Sequence, residues 1–324
     1  MNNKMRWIPL LLVFTLLTVW RPSFAQEKFP SKPITIICPW SPGAGADLIA
    51  RLVQKHAEKH LNQPIVVQNK PGGAGTIGFT AGMNARADGY TLTEVTPSVV
   101  ITPYTVPQTP EYIKKFEAII LTATSPMAIT VREDSPWKTF KELIDFAKSN
   151  PRKVRISNSG HAAIFHVAAI GVEVSAGVKF THVPFKGSAP GVLALAGGHV
   201  DASCTTVAAV MQLAKSRRLR ILAICSDERR PDFPQVPTFK EVGIDLFVNS
   251  WYGFLTPKGT PKKNIKIIHD AFRKAIETSE FKEGAKSRGL VFMYRGPEDF
   301  DRFLEDMDKQ WYKLIEFGGL KIAK

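Results

Sequence analysis

Short apolar runs rich in β-branched residues alternate with helix-patterned sequence along most of this chain. Strand candidates are Ile34–Pro39, Ile65–Gln68, Thr91–Val95 and Ala118–Ala123, followed by Val154–Asn158, Phe180–Pro184, Val200–Cys204 and Leu219–Cys225. Helical spacing separates them. The first helix opens near Asp47 and carries Ile49, Leu52, Val53 and His56 on one face. This alternation predicts parallel sheets covered by helices. Single cores rarely grow beyond roughly 250–300 residues, so a chain of 324 residues points to two domains.

The ends of several elements are written in local chemistry. Pro71–Gly75 precedes a short helix that ends at Met83. Thr139-Phe140-Lys141-Glu142 has capping-box spacing, and Asn150-Pro151 stops the helix behind it. Thr260-Pro261 reads as an N-cap and first helical residue ahead of Ile265, Ile268, Phe272 and Ile276. Pro297 opens a last helix whose face is Phe300, Phe303, Leu304, Met307, Trp311 and Leu314, with Gly318-Gly319 at its end. Both stripes are core-facing scaffold.

At the start of the chain, Lys4 and Arg6 precede an apolar segment, Trp7 to Trp20, and Ser23-Phe24-Ala25 forms a small-x-small cleavage site. Residues 1–25 therefore read as a secretory signal peptide. The alternative, an uncleaved anchor, needs roughly 20 apolar residues, and Pro9 interrupts this shorter run. Export argues against ATP- and NAD-dependent chemistry and permits disulfides. Cys38, Cys204 and Cys225 each lie in apolar, strand-like sequence, where buried free thiols are the simple expectation and a Cys204–Cys225 bridge the sharper one.

Catalytic signatures are thin. Gly73, Gly75 and Gly78 match a dinucleotide fingerprint, but Lys70-Pro71 separates them from the strand that should lead into it. Walker A, HExxH and GxSxG patterns are absent. His56 and His60 lie on a basic helix without an acid to complete a metal site, and His182 reads as a hydrogen-bonded strand histidine. No nucleophile is paired with a base, and neither a metal nor a cofactor is expected. Lys and Arg exceed Asp and Glu, 43 to 29. They are spread along the chain without an aromatic-interleaved stripe, which favours a basic surface that concentrates small anions over a nucleic-acid interface.

Gly-, Ser-, Thr- and Pro-rich turns at strand ends remain. They are Ser41–Asp47, Pro71–Gly75 and Thr96–Ser98 in the first region, and Ser157–His161, Lys186–Ala189 and Thr205–Thr206 in the second. Turns that lead into helices present free backbone N–H groups, a ready anion site. In open α/β sheets such loops lie where ligands bind. The candidate ligand residues are Trp40, Ser41, Gly43, Ala44, Gly45, Asp47, Thr96 and Ser98, with Ser157, Asn158, Gly160, His161, Lys186, Gly187, Ser188, Ala189 and Thr205 opposite. Asp47 is expected to cap its helix or to meet a ligand ammonium group.

An ordered set of motifs runs through nearly the whole chain. It begins with Phe29-Pro30-Ser31-Lys32-Pro33-Ile34, Pro39-Trp40-Ser41-Pro42-Gly43-Ala44-Gly45-Ala46-Asp47 and Asn69-Lys70-Pro71-Gly72-Gly73-Ala74-Gly75. It continues with Asp88-Gly89-Tyr90-Thr91-Leu92, His182-Val183-Pro184-Phe185-Lys186-Gly187-Ser188-Ala189-Pro190, Gly197-Gly198-His199-Val200-Asp201, Trp251-Tyr252-Gly253 and Gly259-Thr260-Pro261. In this the sequence resembles the substrate-binding proteins of tripartite tricarboxylate transporters, the Bug receptors. The resemblance implies an α/β fold: a periplasmic-binding-protein clamshell of two lobes, each a mainly parallel sheet flanked by helices. The lobes would be 26–126 with 252–324, and 127–251. It further implies a monomeric periplasmic receptor, not an enzyme, that takes a small carboxylate and passes it to membrane subunits of such a transporter. A secreted hydrolase or isomerase acting on a carboxylated substrate, and a sensor that feeds signalling, are the alternatives. The chain departs from the family where three glycines and Thr become Gly43-Ala44-Gly45-Ala46, where Phe-Pro becomes Trp40-Ser41, and at Glu94–Ser98; the first two change the ligand wall.

Overall fold

A computed structural model describes residues 28–246 and 248–317. The leader and Gly318-Gly319 lie outside the described residues.

The first β–α units follow the predicted alternation: β1 (Ile34–Cys38), α1 (Gly45–Leu61), β2 (Ile65–Asn69), α2 (Thr76–Met83), β3 (Thr91–Val95) and α3 (Ser98–Thr105). Strand β1 pairs parallel with both β2 and β3. Next comes β4 (Phe116–Arg132), far longer than the predicted Ala118–Ala123. The second region holds α4 (Phe140–Ser149), β5 (Arg155–Asn158), α5 (Ile164–Ala176), β6 (Thr181–Pro184), α6 (Ser188–Ala196), β7 (Ala202–Thr206), α7 (Val207–Lys215) and β8 (Leu219–Ile224). Here β5 pairs parallel with β6 and β7. The chain returns through β9 (Asn249–Pro257), then α8 (Lys262–Ile276), α9 (Ser279–Ser287), β10 (Val291–Arg295) and α10 (Pro297–Phe317).

Parallel pairs thus form the outer part of each half, as the alternation requires. The centre is antiparallel. Through Pro126, β4 pairs with β9; from Met127 onward it pairs with β7 and β8. One strand therefore belongs to both half-sheets, and it changes partners at Pro126–Met127. Strands β9 and β10, which pair antiparallel with β4, are additions to the sequence reading. Nearly every residue of β4 and β9 is buried, so neither shows the alternation that marks a strand with one wet face.

The helix chemistry holds with one shift. Thr139 Oγ1 accepts the Glu142 N–H at 3.2 Å, and Glu142 Oε2 accepts the Thr139 N–H at 3.2 Å, completing the capping box. The N-cap of α8 falls on Pro261, not Thr260. The Thr260 hydroxyl turns back to the Pro257 carbonyl at 2.8 Å, one residue before the N-cap. Phe300, Leu304, Trp311 and Ile315 of α10 enter the core, where Phe303 and Met307 pack partly buried; nothing is described of the Leu314 side chain. Gly253 makes room for this helix, since a β-carbon there would lie 2.2 Å from Phe300 Cζ. All three cysteines are free and buried, so Cys204 and Cys225 do not form the alternative bridge.

Candidate ligand-binding cleft

One carboxylate shapes the first loop. Gly43, at φ +81°, turns the chain after β1, and its N–H donates to Asp47 Oδ2 at 3.0 Å. Arg51 Nε donates to the same oxygen at 3.0 Å, and Asn69 Nδ2 donates to Asp47 Oδ1 at 2.8 Å. Asn69 Nδ2 also reaches the Trp40 carbonyl at 2.9 Å, fixing the start of the loop. The N-cap position of α1 belongs to Ala44. Asp47 is therefore a buried loop anchor, neither the cap nor a free partner for an ammonium group, because both its oxygens are engaged within the protein.

A second loop, in the opposite half, is held by bonds within that half. Asn158 Oδ1 accepts the Gly160 N–H at 3.0 Å, while the Asn158 and Ser159 carbonyls accept the Phe185 and Gly187 N–H groups at 3.1 and 3.2 Å. Ala162 sits at φ 61°, and its N–H donates to His166 Nδ1 at 3.0 Å. Burial, then the His182 and His161 imidazoles, pull His166 down to about 4, which keeps that nitrogen an acceptor. The His182 Nε2 faces Glu173 Oε1 at 3.1 Å, the hydrogen-bonded strand histidine that the sequence suggested.

The two halves touch across these loops. The Ser41 hydroxyl donates to the Lys186 carbonyl. A β-carbon on Gly187 would lie 3.3 Å from Ser41 N, one on Gly43 would lie 3.6 Å from Ala189 Cβ, and one on Gly160 would lie 3.7 Å from Ala74 Cα.

Four helices, α1, α5, α6 and α7, begin at this junction. Their first-turn N–H groups lack intrahelical partners and carry partial positive charge. Ala44–Ala46, Ile164, Phe165, Ser188 and Thr206 line an inner cavity of about 20 Å³, together with Trp40, Thr96, Ser159, Ser250 and Tyr252. Three side-chain groups in that wall, Trp40 Nε1, Thr96 Oγ1 and Ser159 Oγ, are buried with no hydrogen-bond partner among the described residues. The same holds for Ser98 Oγ, Asn158 Nδ2 and Thr205 Oγ1 close by in sequence. Each orphaned polar group costs roughly 1–3 kcal/mol, so a cluster of them marks a surface built to meet a ligand. Helix N-termini with unpaired donors suit a carboxylate.

An outer cavity of about 580 Å³ shares Trp40 and Ser159 with the inner one. Its walls are Gly72–Ala74, Thr105–Pro107, Gly160, His161 and Pro184–Lys186.

Of the predicted residues, Trp40, Ala44, Gly45, Thr96 and Ser188 line the inner cavity, and Gly160, His161 and Lys186 the outer. Ser41, Gly43, Asp47, Ser98, Ser157, Asn158, Gly187, Ala189 and Thr205 line neither. Ser157, for example, spends its hydroxyl on the Gly191 carbonyl at 3.2 Å. Residues beyond the predicted set are Ala46, Ser159, Ile164, Phe165, Thr206, Ser250 and Tyr252 in the inner cavity, with Gly72–Ala74, Thr105–Pro107, Pro184 and Phe185 in the outer. Ser159 and Thr206 were within the loops singled out. Tyr252 belongs to the Trp251-Tyr252-Gly253 motif, whose spacing alone signals no ligand chemistry. Glu94 lies in β3, two residues before Thr96, and is fully buried. Burial, then the Asp47 carboxylate, hold its acid well above the usual range. The protonated form is thereby favoured, sparing the anion site a buried negative charge.

Two half-sheets meeting through a polar crevice walled by helix N-termini define a solute-binding protein of the periplasmic clamshell type. The chain belongs to the tripartite tricarboxylate transporter receptor family, "Tripartite tricarboxylate transporter family receptor", whose family model matches residues 49–320. It is 33% identical over 304 residues to the "UPF0065 protein in gbd 5'region" of Cupriavidus necator, covering 94% of this chain and 93% of that one. The solved periplasmic binding protein BugD superimposes with a TM-score of 0.86 at 29% identity, over 90% of this chain and 99% of its own. An R. palustris protein solved with adipate gives a TM-score of 0.86 at 26% identity, over 90% and 98% of the two chains.

Proposed function

We propose that this protein is an extracytoplasmic receptor that holds a small organic acid between its half-sheets and delivers it to the membrane subunits of a tripartite tricarboxylate transporter, without catalysis. The observation that carries the reading is the cluster of orphaned buried polar groups where four helix N-termini converge. A carboxylate satisfies both the donors and the helix dipoles. The adipate bound to the R. palustris relative fits the same ligand class.

In this reading residues 1–25 are removed on export and the receptor acts as a periplasmic monomer. No described helix is long and apolar enough to cross a membrane. The first lobe is 26–126 with the C-terminal part, and the second begins at Met127. Asn249 pairs with Pro126 and Ser250 with Ser125, so we place the return crossing just before Asn249, slightly ahead of the sequence-based boundary at Trp251-Tyr252.

The test is to purify the protein from the periplasmic fraction, identify co-purifying acids by mass spectrometry, and titrate them back by calorimetry. Binding of a carboxylate without turnover, by a chain starting at or near Gln26, is the expected result. Conversion of the acid to product would replace the receptor reading with the hydrolase or isomerase one.

A further inference from the structure

The cleft is divided unequally. The inner cavity, about 20 Å³, holds the helix N-termini and has room for no more than a carboxylate-sized group. The outer cavity, about 580 Å³, falls within the ~300–1,000 Å³ span of small-molecule pockets. Trp40 and Ser159 line both, so the two cavities adjoin at these residues. A ligand that occupies both would lie across them.

The two compartments differ in chemistry. Val106, Pro107, Phe185, Ala74 and the Trp40 ring give the outer one a largely apolar wall, with the charged or titratable side chains Lys186 and His161 exposed at its edge. Gly72 and Gly73 bring bare backbone to the same wall. Away from Lys186 and His161 at the edge, a second carboxylate would meet mostly apolar side chains, which is costly. An apolar ring loses nothing comparable and gains by leaving water.

Resting on the receptor reading above, we infer that the preferred ligand is a carboxylate bearing an apolar ring, aromatic or alicyclic, with the carboxylate in the inner cavity and the ring in the outer one. Trp40 Nε1 and Ser159 Oγ, both buried and without partners among the described residues, belong to the two residues shared by the cavities and are the donors this reading assigns to the carboxylate. Val106 and Phe185 are then specificity-determining residues.

Calorimetry on the mature full chain with acetate, succinate, phenylacetate and cyclohexanecarboxylate tests this. The ring-bearing acids should bind at least tenfold more tightly than acetate and succinate. Val106→Trp, which narrows the outer cavity, should remove that advantage, costing the ring-bearing acids at least tenfold more affinity than it costs acetate. Phe185→Ala should weaken the ring-bearing acids severalfold, a readout that stands if Val106→Trp does not fold. Succinate binding as tightly as phenylacetate would overturn the inference while leaving the receptor reading intact. So would equal losses for acetate and phenylacetate in the variants. Failure of every acid to bind would overturn both.

Discussion

A methyl group on Gly45 would lie 2.3 Å from the Tyr252 hydroxyl and 3.0 Å from its Cζ. From the sequence, this glycine reads as a position that keeps the loop close to the ligand or holds a positive φ. The structure gives a different reason. Positive φ belongs to Gly43, whereas Gly45 is small because a tyrosine from β9 crosses over it. Tyr252 and Gly45 are 207 positions apart in the chain, and no local pattern couples them. Gly45→Ala should therefore cost about 1–3 kcal/mol, the usual range for overpacking a filled site, and displace a wall of the inner cavity. In a Tyr252→Phe background the cost should fall, because the nearest atom is then gone. Chemical denaturation of the two single variants and the double variant checks this. Additive effects would show that the two side chains do not compete for the same space.

At the scale of elements, local signals were read correctly where local bonds decide the structure. The Thr139–Glu142 capping box is such a case. Strands β4 and β9 were short or missing in that reading because burial on both faces erases alternation, and Ser125-Pro126 looks like a break. Which loop residues face the cleft was no more visible, since it depends on how two distant half-sheets meet. The start of α5 shows how such an element is held and yields a pH dependence. His166 accepts the Ala162 N–H through Nδ1, with His161 and His182 beside it and Glu173 beyond, paired with His182 and Lys179. Its pKa lies near 4 in the folded protein, against about 6.5 when unfolded. Between those values the unfolded chain binds more protons, so stability rises with pH across that window and is lost as pH falls from about 6.5 toward 4. The full contribution is about 3 kcal/mol. His166→Asn, whose side-chain oxygen can take the same N–H, should flatten the dependence of unfolding free energy on pH over that window. An unchanged slope would assign the acid sensitivity to other groups.

For the molecule as a whole, a few contacts join the two halves across the cleft. The Ser41 hydroxyl on the Lys186 carbonyl and the Gly43–Ala189 approach join halves connected through β4 and the crossing into β9. Neither contact is large. A neutral hydrogen bond is worth about 0.5–1.5 kcal/mol net, too little to hold two lobes shut against a cluster of unsatisfied polar groups. Ligand exchange is thus expected to proceed by opening at Pro126–Met127, where β4 changes partners. The geometry offers a direct test, because a β-carbon on Gly43 would stand 3.6 Å from Ala189 Cβ, within the roughly 3.5–4.5 Å that a disulfide spans. A Gly43→Cys, Ala189→Cys protein carries some strain at the positive φ of residue 43, about 1–2 kcal/mol, which the cross-link can offset. Once oxidised, it should retain acid bound beforehand and refuse acid added afterwards, and reduction should restore exchange. The native thiols at Cys38, Cys204 and Cys225 are buried and should not interfere. Dissociation rates by stopped-flow, with the cross-link confirmed by mass spectrometry, supply the measurement. Wild-type exchange in the fully cross-linked protein would show that the ligand enters without the lobes parting.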